Sequence, residues 1–364
     1  MQRPASTDAN DADVTRASRE NPDAGLIETL NQETVRIIAD LVPVGAQVAL
    51  LDFARHFNVG DAAIWLGEMA ALSQSGVRAR DIRYMCDLAS YDESTLRRSV
   101  GPNGVILFHG GGNFGDLWPG HQQFRESIVA AFPDRRIVIL PQSIHFRDAS
   151  SLHTTAQLFN RHPSLTILAR DTYSLELLQQ HFKAAAHLCP DMAFCIGPLA
   201  REKPDRDIVY MARADQESVT GGTDVPSGLP PGVQACDWPR IGNAWQWRVG
   251  DAIECLSADH PRAVAYLSRA RTLATRASYN SMAKERVAAG CRLIGHGRVM
   301  VADRLHAHIL AVLMGIPHVV LDNSYGKITR FHQAWTSESR LTRVARTRDQ
   351  AFEIAYAMVR KGDC

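Results

Sequence analysis

Apolar residues in this chain fall into short runs separated by polar loops and by stretches of helical spacing. Residues 47–53, 81–86, 105–109, 136–140, 165–169 and 186–188 read as strands, being short apolar runs bounded by turn residues. Helical periodicity predicts a leading helix over 24–41 and further helices over 62–72, 122–131 and 151–160, with another opening near 170–174 and running to 182. Asp61 is the expected N-cap of the helix over 62–72. Gly110–Gly112 reads as a strand-to-helix loop.

The rhythm continues after Pro198 and Pro204, which mark a linker. A strand is predicted over 207–212, helices over 259–276 and 281–290, and a strand over 291–295. Strand 298–302, a helical run over 309–315, strand 318–321 and a terminal helix over 348–359 complete the pattern. Alternating strands and helices predict an α/β fold of parallel sheets with helices on both faces. In such sheets the strand C-terminal ends line the ligand crevice, and Asn58, Asn113, His145 and Arg170 all follow strands. The expected division is a disordered tail at 1–23, an N-terminal domain at 24–200, a C-terminal domain at 201–345, and a terminal helix at 346–364 free to pack back on the N-terminal domain.

Composition narrows the function without choosing it. The 364 residues suit two domains, and 45% hydrophobic with 22% charged residues is globular. A net charge of +1 gives no reason to expect nucleic acid as a partner. Seven scattered cysteines without a CxxC pair fit a reducing compartment and predict neither disulfides nor a metal site. The polar N-terminus lacks the apolar core of a signal peptide, and no apolar run is long enough to span a bilayer. The expectation is a cytoplasmic protein, with peripheral association at the inner membrane face left open.

Asp303-Arg304-Leu305-His306 is the strongest chemical signal. It lies between a strand and a helix, where backbone N–H groups favour an anion. Arg304 supplies permanent charge and His306 a proton near neutral pH. The competing structural reading is that Asp303 compensates Arg304. Arg170 also precedes a helix start, with Asp171 as its structural partner. Gly111 and Gly112 permit close backbone approach, while Asn113 and Asp116 bring polar groups to the same edge. Gln142 and His145 follow the next strand. No G-x-G-x-x-G, P-loop, G-x-S-x-G or H-E-x-x-H pattern occurs.

These segments together resemble the polysaccharide pyruvyl transferase family over about residues 47–335. The resemblance rests on the runs 108–118, 140–146, 170–174, 189–193, 213–217 and 237–239. It rests most specifically on Asp303 to His306, Gly315 to His318 and Asp322 to Lys327. Ala302 and Ala307 stand where the family usually has Thr and Gly.

The resemblance implies a GT-B-like fold, two Rossmann-like domains facing across a cleft. It implies transfer of a pyruvyl group from phosphoenolpyruvate, the donor substrate, to two hydroxyls of a saccharide, with phosphate release and no cofactor. The implied acceptor is a lipid-linked or nucleotide-linked saccharide of exopolysaccharide or cell-surface glycan synthesis. Arg304 and Arg170 would then hold the donor's two anionic groups, and His306 would move the proton. Gly111, Gly112, Asn113, Asp116, Gln142, His145, Leu305, Asn323 and Lys327 would contact substrate. Two rival expectations are a nucleotide-sugar glycosyltransferase on the same fold and a non-catalytic saccharide-binding protein.

Overall fold

A computed structural model describes residues 21–212, 229–239, 264–322 and 326–361, with side chains described from 269 in the third span. The chain divides into two compact units. One comprises Gln32–Cys195 and Arg240–Arg286, and is called the N-terminal unit below. The other comprises Met1–Asn31, Ile196–Pro239 and Val287–Cys364, and is called the C-terminal unit. This division differs from boundaries at 24–200 and 201–345, since described residues 264–286 group with the N-terminal unit and residues 21–31 with the C-terminal one.

The N-terminal unit is built on β1 (Val48–Leu51), β2 (Ile82–Met85), β3 (Val105–Phe108), β4 (Gly111–Gly115), β5 (Arg136–His145), β6 (Leu165–Ala169) and β7 (Ala185–Leu188). The order is β2-β1-β3-β5-β6-β7, with β4 paired to β5, and every pairing is parallel. Its connecting helices are α2 (Val59–Gln74), α3 (Glu93–Ser99), α4 (Pro119–Ala131), α5 (Ala149–Phe159) and α6 (Thr172–His181), following α1 (Ala24–Leu41). Both strand faces are covered: Ile106, Phe108, Ile137, Ile139 and Ile167 pack with Phe114, Phe124, Phe132 and Phe159 on one side. Continuous apolar strands such as Val105–Phe108, buried at all four positions, are what a doubly covered parallel sheet requires.

The C-terminal unit repeats the plan with β8 (Arg206–Met211), β9 (Val233–Cys236), β10 (Gly297–Ala302), β11 (His318–Leu321) and β12 (Thr342–Ala345). The order is β12-β11-β10-β8-β9, again all parallel. The helices described after β9 are α7 (Val264–Gly295), which through Arg286 belongs to the N-terminal unit, α8 (Leu305–Leu313), α9 (Lys327–Phe331) and α10 (Arg348–Lys361). Two Rossmann-like parallel α/β units in one chain make a GT-B-like α/β fold. In each sheet the order reverses beside the first strand, between β1 and β3 and between β8 and β10. Such reversal points open a crevice beyond the strand carboxyl ends.

Several elements depart from the sequence expectations. The run over 111–115 is a strand rather than a loop: Phe114 and Gly115 take register against Ile144 and His145 of β5. Gly115 has φ +126, and a Cβ there would overlap the His145 carbonyl. β5 passes through Pro141 to His145, five residues beyond the expected end. Segments 281–290 and 291–295 form one continuous helix with the residues before them, ending at Gly295. The terminal helix packs on the C-terminal sheet: Ala351, Phe352, Ala355 and Met358 bury against Tyr210, Val301 and Val319. The tail expected to run to residue 23 has ended by Asn21, whose amide donates to the carbonyls of Val312 and Leu313 at 2.9 and 3.1 Å.

Candidate active site

The C-terminal reversal point carries the Asp303–His306 run. β10 ends at Ala302, and the Asp303 N–H reaches the Met211 carbonyl at the end of β8, 3.4 Å away. Arg304 is the N-cap of α8 in extended conformation (φ −117°, ψ 126°), and its side chain caps nothing. Its guanidinium instead pairs with Asp237, N–O distances 2.6 and 2.7 Å, just past β9. An ion-pair partner of Arg304 is therefore Asp237, contributed from 67 residues earlier. A cation at a helix N-terminus opposes the dipole, and Asp237 offsets that. Leu305 and Ala307 are buried, whereas His306 in the same turn is partly exposed with its Nε2 atom buried.

Under that turn lies an all-neutral histidine chain. The Ile316 carbonyl can only accept, so His318 Nδ1 donates to it at 2.7 Å. His318 Nε2 then accepts from His308 Nδ1 at 2.7 Å, and His308 Nε2 accepts from the Thr336 hydroxyl at 2.8 Å. His308 is fully buried and is a packing residue. Burial drives its pKa well below the ordinary histidine value, with His318 adding to the effect. Burial likewise pushes His318 down to about 4. Lys327 opens α9 after Gly326, which is left-handed at φ 74°, and is itself largely buried. Asn323 lies outside the described residues.

The N-terminal reversal point holds groups that the sequence reading passed over. Asp52 directly follows β1, is fully buried, and has φ 73°. Its carboxylate accepts from His121 Nδ1 at 2.8 Å and from the Asn113 amide at 3.3 Å. Asn113 is fixed in turn by Arg125, 2.7 Å from its Oδ1. Beside them His56 and Asp61 pair at 2.7 Å, and the His56 and His121 ring centroids are 6.5 Å apart. Burial alone would lower the His56 pKa, but the hydrogen bond and charge of Asp61 outweigh it and raise it. Asp61 is thus a first-turn ion-pair residue; the cap of α2 is Asn58, whose side chain accepts from the Gly60 N–H.

The remaining predicted positions of this unit act mainly as supports. Gly111, at φ +128°, sits beside Ile64 and Asp61, while Gly112 and Asn113 are partly exposed on β4. Asp116 accepts from the backbone N–H groups of Arg147 and Asp148, closing the turn after β5. Gln142 is wholly buried and donates to the His109 carbonyl at 2.8 Å. His145 ends β5 partly exposed. Arg170 is 1% exposed; it pairs with Asp191 at 2.6 Å and donates to Ser143 at 2.9 Å. Its neighbour Asp171 caps α6 instead of pairing with it. Behind the glycines, His109 Nδ1 meets Glu68 at 2.8 Å in full burial. Burial alone would lower the His109 pKa, yet the charge and hydrogen bond of Glu68 raise it to about 9.

Asp52, His56, His121 and Arg125 escaped the sequence reading because their signal is topological. Asp52 stood inside an apolar run, and His121 was one lone histidine before a helix. Only the strand order places both at a crevice. Among the described residues no group of three His, Cys, Asp or Glu is placed to hold a metal ion, and no helix is long and apolar enough to cross a membrane.

Residues 58–325 match the profile of the family described as polysaccharide pyruvyl transferase. The chain belongs to the polysaccharide pyruvyl transferase family. The match to this transferase family takes in strands β2 through β11, so β1, Asp52 and His56 lie ahead of it. The pyruvyl transferase is 30% identical to "Putative pyruvyl transferase EpsO" of Bacillus subtilis, over 82% of this chain and 88% of that protein. It is 29% identical to "Pyruvyl transferase 1" of Schizosaccharomyces pombe, over 79% of this chain and 69% of that one. A solved structure of an uncharacterized Klebsiella pneumoniae protein aligns with TM-score 0.53 at 16% identity, covering 87% of this pyruvyl transferase and 99% of the other chain. That last likeness is one of fold.

Proposed function

We propose that this pyruvyl transferase moves the pyruvyl group of phosphoenolpyruvate onto two hydroxyls of a saccharide, forming a ketal and releasing phosphate. The observation that carries the reading is Arg304, held by Asp237 at the N-cap of α8 beside the β8/β10 reversal point. A fixed guanidinium fork and first-turn N–H groups suit a phosphate or carboxylate. His306, partly exposed in the same turn, delivers the proton to C3 of the enol. C2 then becomes electrophilic and takes the first hydroxyl. Phosphate departs with the C2–O electron pair, and the second hydroxyl closes the ketal.

In this reading Lys327 adds positive charge to the same unit. Arg170, committed to Asp191 and Ser143, has a supporting part at the strand ends of the other unit and is not the second grip on the donor. Gly111, Gly112, Asn113 and His145 face the acceptor. The acceptor class is a lipid-linked or nucleotide-linked saccharide of cell-surface glycan synthesis, met in the cytoplasm or at the inner membrane face. The test is phosphate release from phosphoenolpyruvate with a panel of saccharides, read together with the mass gain of a pyruvyl ketal. Wild type should turn over with at least one acceptor, and His306→Ala should lose about 10²-fold or more in kcat. Turnover with nucleotide sugars and none with phosphoenolpyruvate would reject the proposal.

A further inference from the structure

α8 and its N-cap carry the two groups assigned to the donor, yet the helix start has no side-chain cap to fix it. From Ala307 to Leu313 the helix is buried at every position and apolar at every position but one. Apolar contacts are non-directional, so they do not by themselves fix the rotation of a helix about its axis. The exception is His308. Its backbone N–H donates to the Arg304 carbonyl at 3.1 Å, and its imidazole is gripped from two sides.

The direction of that grip follows from donors and acceptors alone. His318 Nδ1 donates to the Ile316 carbonyl, His308 Nδ1 donates to His318 Nε2, and the Thr336 hydroxyl donates to His308 Nε2. With its proton committed to His308, Thr336 accepts from His332 Nδ1 at 2.9 Å. Every proton in the chain therefore points one way, from the partly exposed His332 to the Ile316 carbonyl. Thr342 Oγ1 also approaches His318 Nε2 at 3.2 Å, and Ser339 links Thr342 to Asp23. Burial lowers the pKa of all three histidines, in keeping with the singly protonated rings that the chain requires. His332–Thr336 is a single π-helical turn, a form frequent at functional sites. Apolar groups of the same shape would stabilise such a core about as well, so what a fully paired polar network adds is a unique arrangement.

We propose that His308, clamped between His318 and Thr336, is a positioning residue that sets the rotation of α8 and so aims Arg304 and His306 at the donor. This rests on the pyruvyl-transfer reading. A rigid helix carries a rotation at His308 unchanged to its first turn. With side chains reaching about 5–6 Å from the axis, a rotation of about 10° moves their tips by about 1 Å. A misplacement of that size costs a catalytic group up to about 10²-fold in rate. His308 itself touches no substrate.

The experiment uses Thr336→Val, which keeps the shape and deletes the hydroxyl, with Thr336→Ser as the conservative variant. Ser339→Ala is the control, a buried hydroxyl two hydrogen bonds away from His318. His308→Asn is the second test, since its amide still donates toward His318 and is too short to meet Thr336. Phosphoenolpyruvate affinity is read by calorimetry, turnover by phosphate release with a panel of saccharides, and folding by denaturant titration. Thr336→Val and His308→Asn should each lose about tenfold or more in donor affinity and about 10²-fold in kcat/KM. Thr336→Ser should match wild type on both counts, and Ser339→Ala should lose stability while keeping the wild-type donor affinity. Unchanged donor affinity in either folded clamp variant, no recovery with serine, or an equal affinity loss in Ser339→Ala overturns the inference alone. A wild type that releases no phosphate with any saccharide removes the pyruvyl-transfer reading, and this inference with it.

Discussion

The two reversal points share one topology and carry opposite chemistry. At the C-terminal one, a cation sits on a helix start and its anion, Asp237, is 29% exposed. At the N-terminal one, a fully buried anion holds a partly exposed imidazole. The first arrangement suits a ligand that arrives negatively charged. The second suits a ligand that must lose a proton.

The largest effect should come from the buried arginine of the N-terminal unit. Asp191→Ala leaves Arg170 buried without its counter-charge and should cost about 3–5 kcal/mol of stability by denaturant titration. Asp237→Ala, at a more exposed pair, should cost about 1 kcal/mol or less while weakening donor binding. Equal stability losses would erase the distinction drawn between Arg170 and Arg304. Next, Arg304→Ala should lower kcat/KM for phosphoenolpyruvate by about 10²–10³-fold, since a preorganised charged donor is removed. A steady-state assay varying the donor at fixed acceptor reads this directly.

The buried histidines give the two units opposite pH responses. His109 is raised to about 9 by Glu68, so its contribution is complete below about pH 6.5 and is lost as pH rises through 9. His318 is lowered to about 4 and His308 is lowered too, so their contribution is present above about pH 6.5 and is lost as pH falls toward 4. Hydrogen exchange should therefore speed up in α2 and β3 at alkaline pH and in α8 and β11 at acid pH. A single pattern across both units would contradict this. The smallest effect separates two readings of a cap. Asn58→Ala should cost about 1 kcal/mol and leave the donor KM unchanged, whereas the sequence pattern assigns that capping loss to Asp61.

Much of the sheet was legible in the sequence because parallel strands buried on both faces leave continuous apolar runs such as Val105–Phe108. Asp303 to His306 was legible because charged residues between an apolar strand and an apolar helix stand out. The hidden features depend on contacts distant in sequence. Nothing near Arg304 announces Asp237, and nothing near Asp52 announces His121, 69 residues on. β4 was hidden because glycines at 111, 112 and 115 mimic a loop, although the sheet uses Gly115 for close approach to His145 of β5. The unbroken helix ending at Gly295 was hidden because its apolar positions do not follow one helical face, so the segment reads as separate pieces.

The division of labour between the reversal points is tested most directly by calorimetric titration of phosphoenolpyruvate into Arg304→Lys and Asp52→Asn, each against wild type. Lysine keeps the charge but loses the planar fork. Donor affinity should fall by about tenfold or more in Arg304→Lys and stay at the wild-type value in Asp52→Asn. Unchanged affinity in Arg304→Lys, or an equal loss in both variants, would contradict the assignment of the donor to the C-terminal unit.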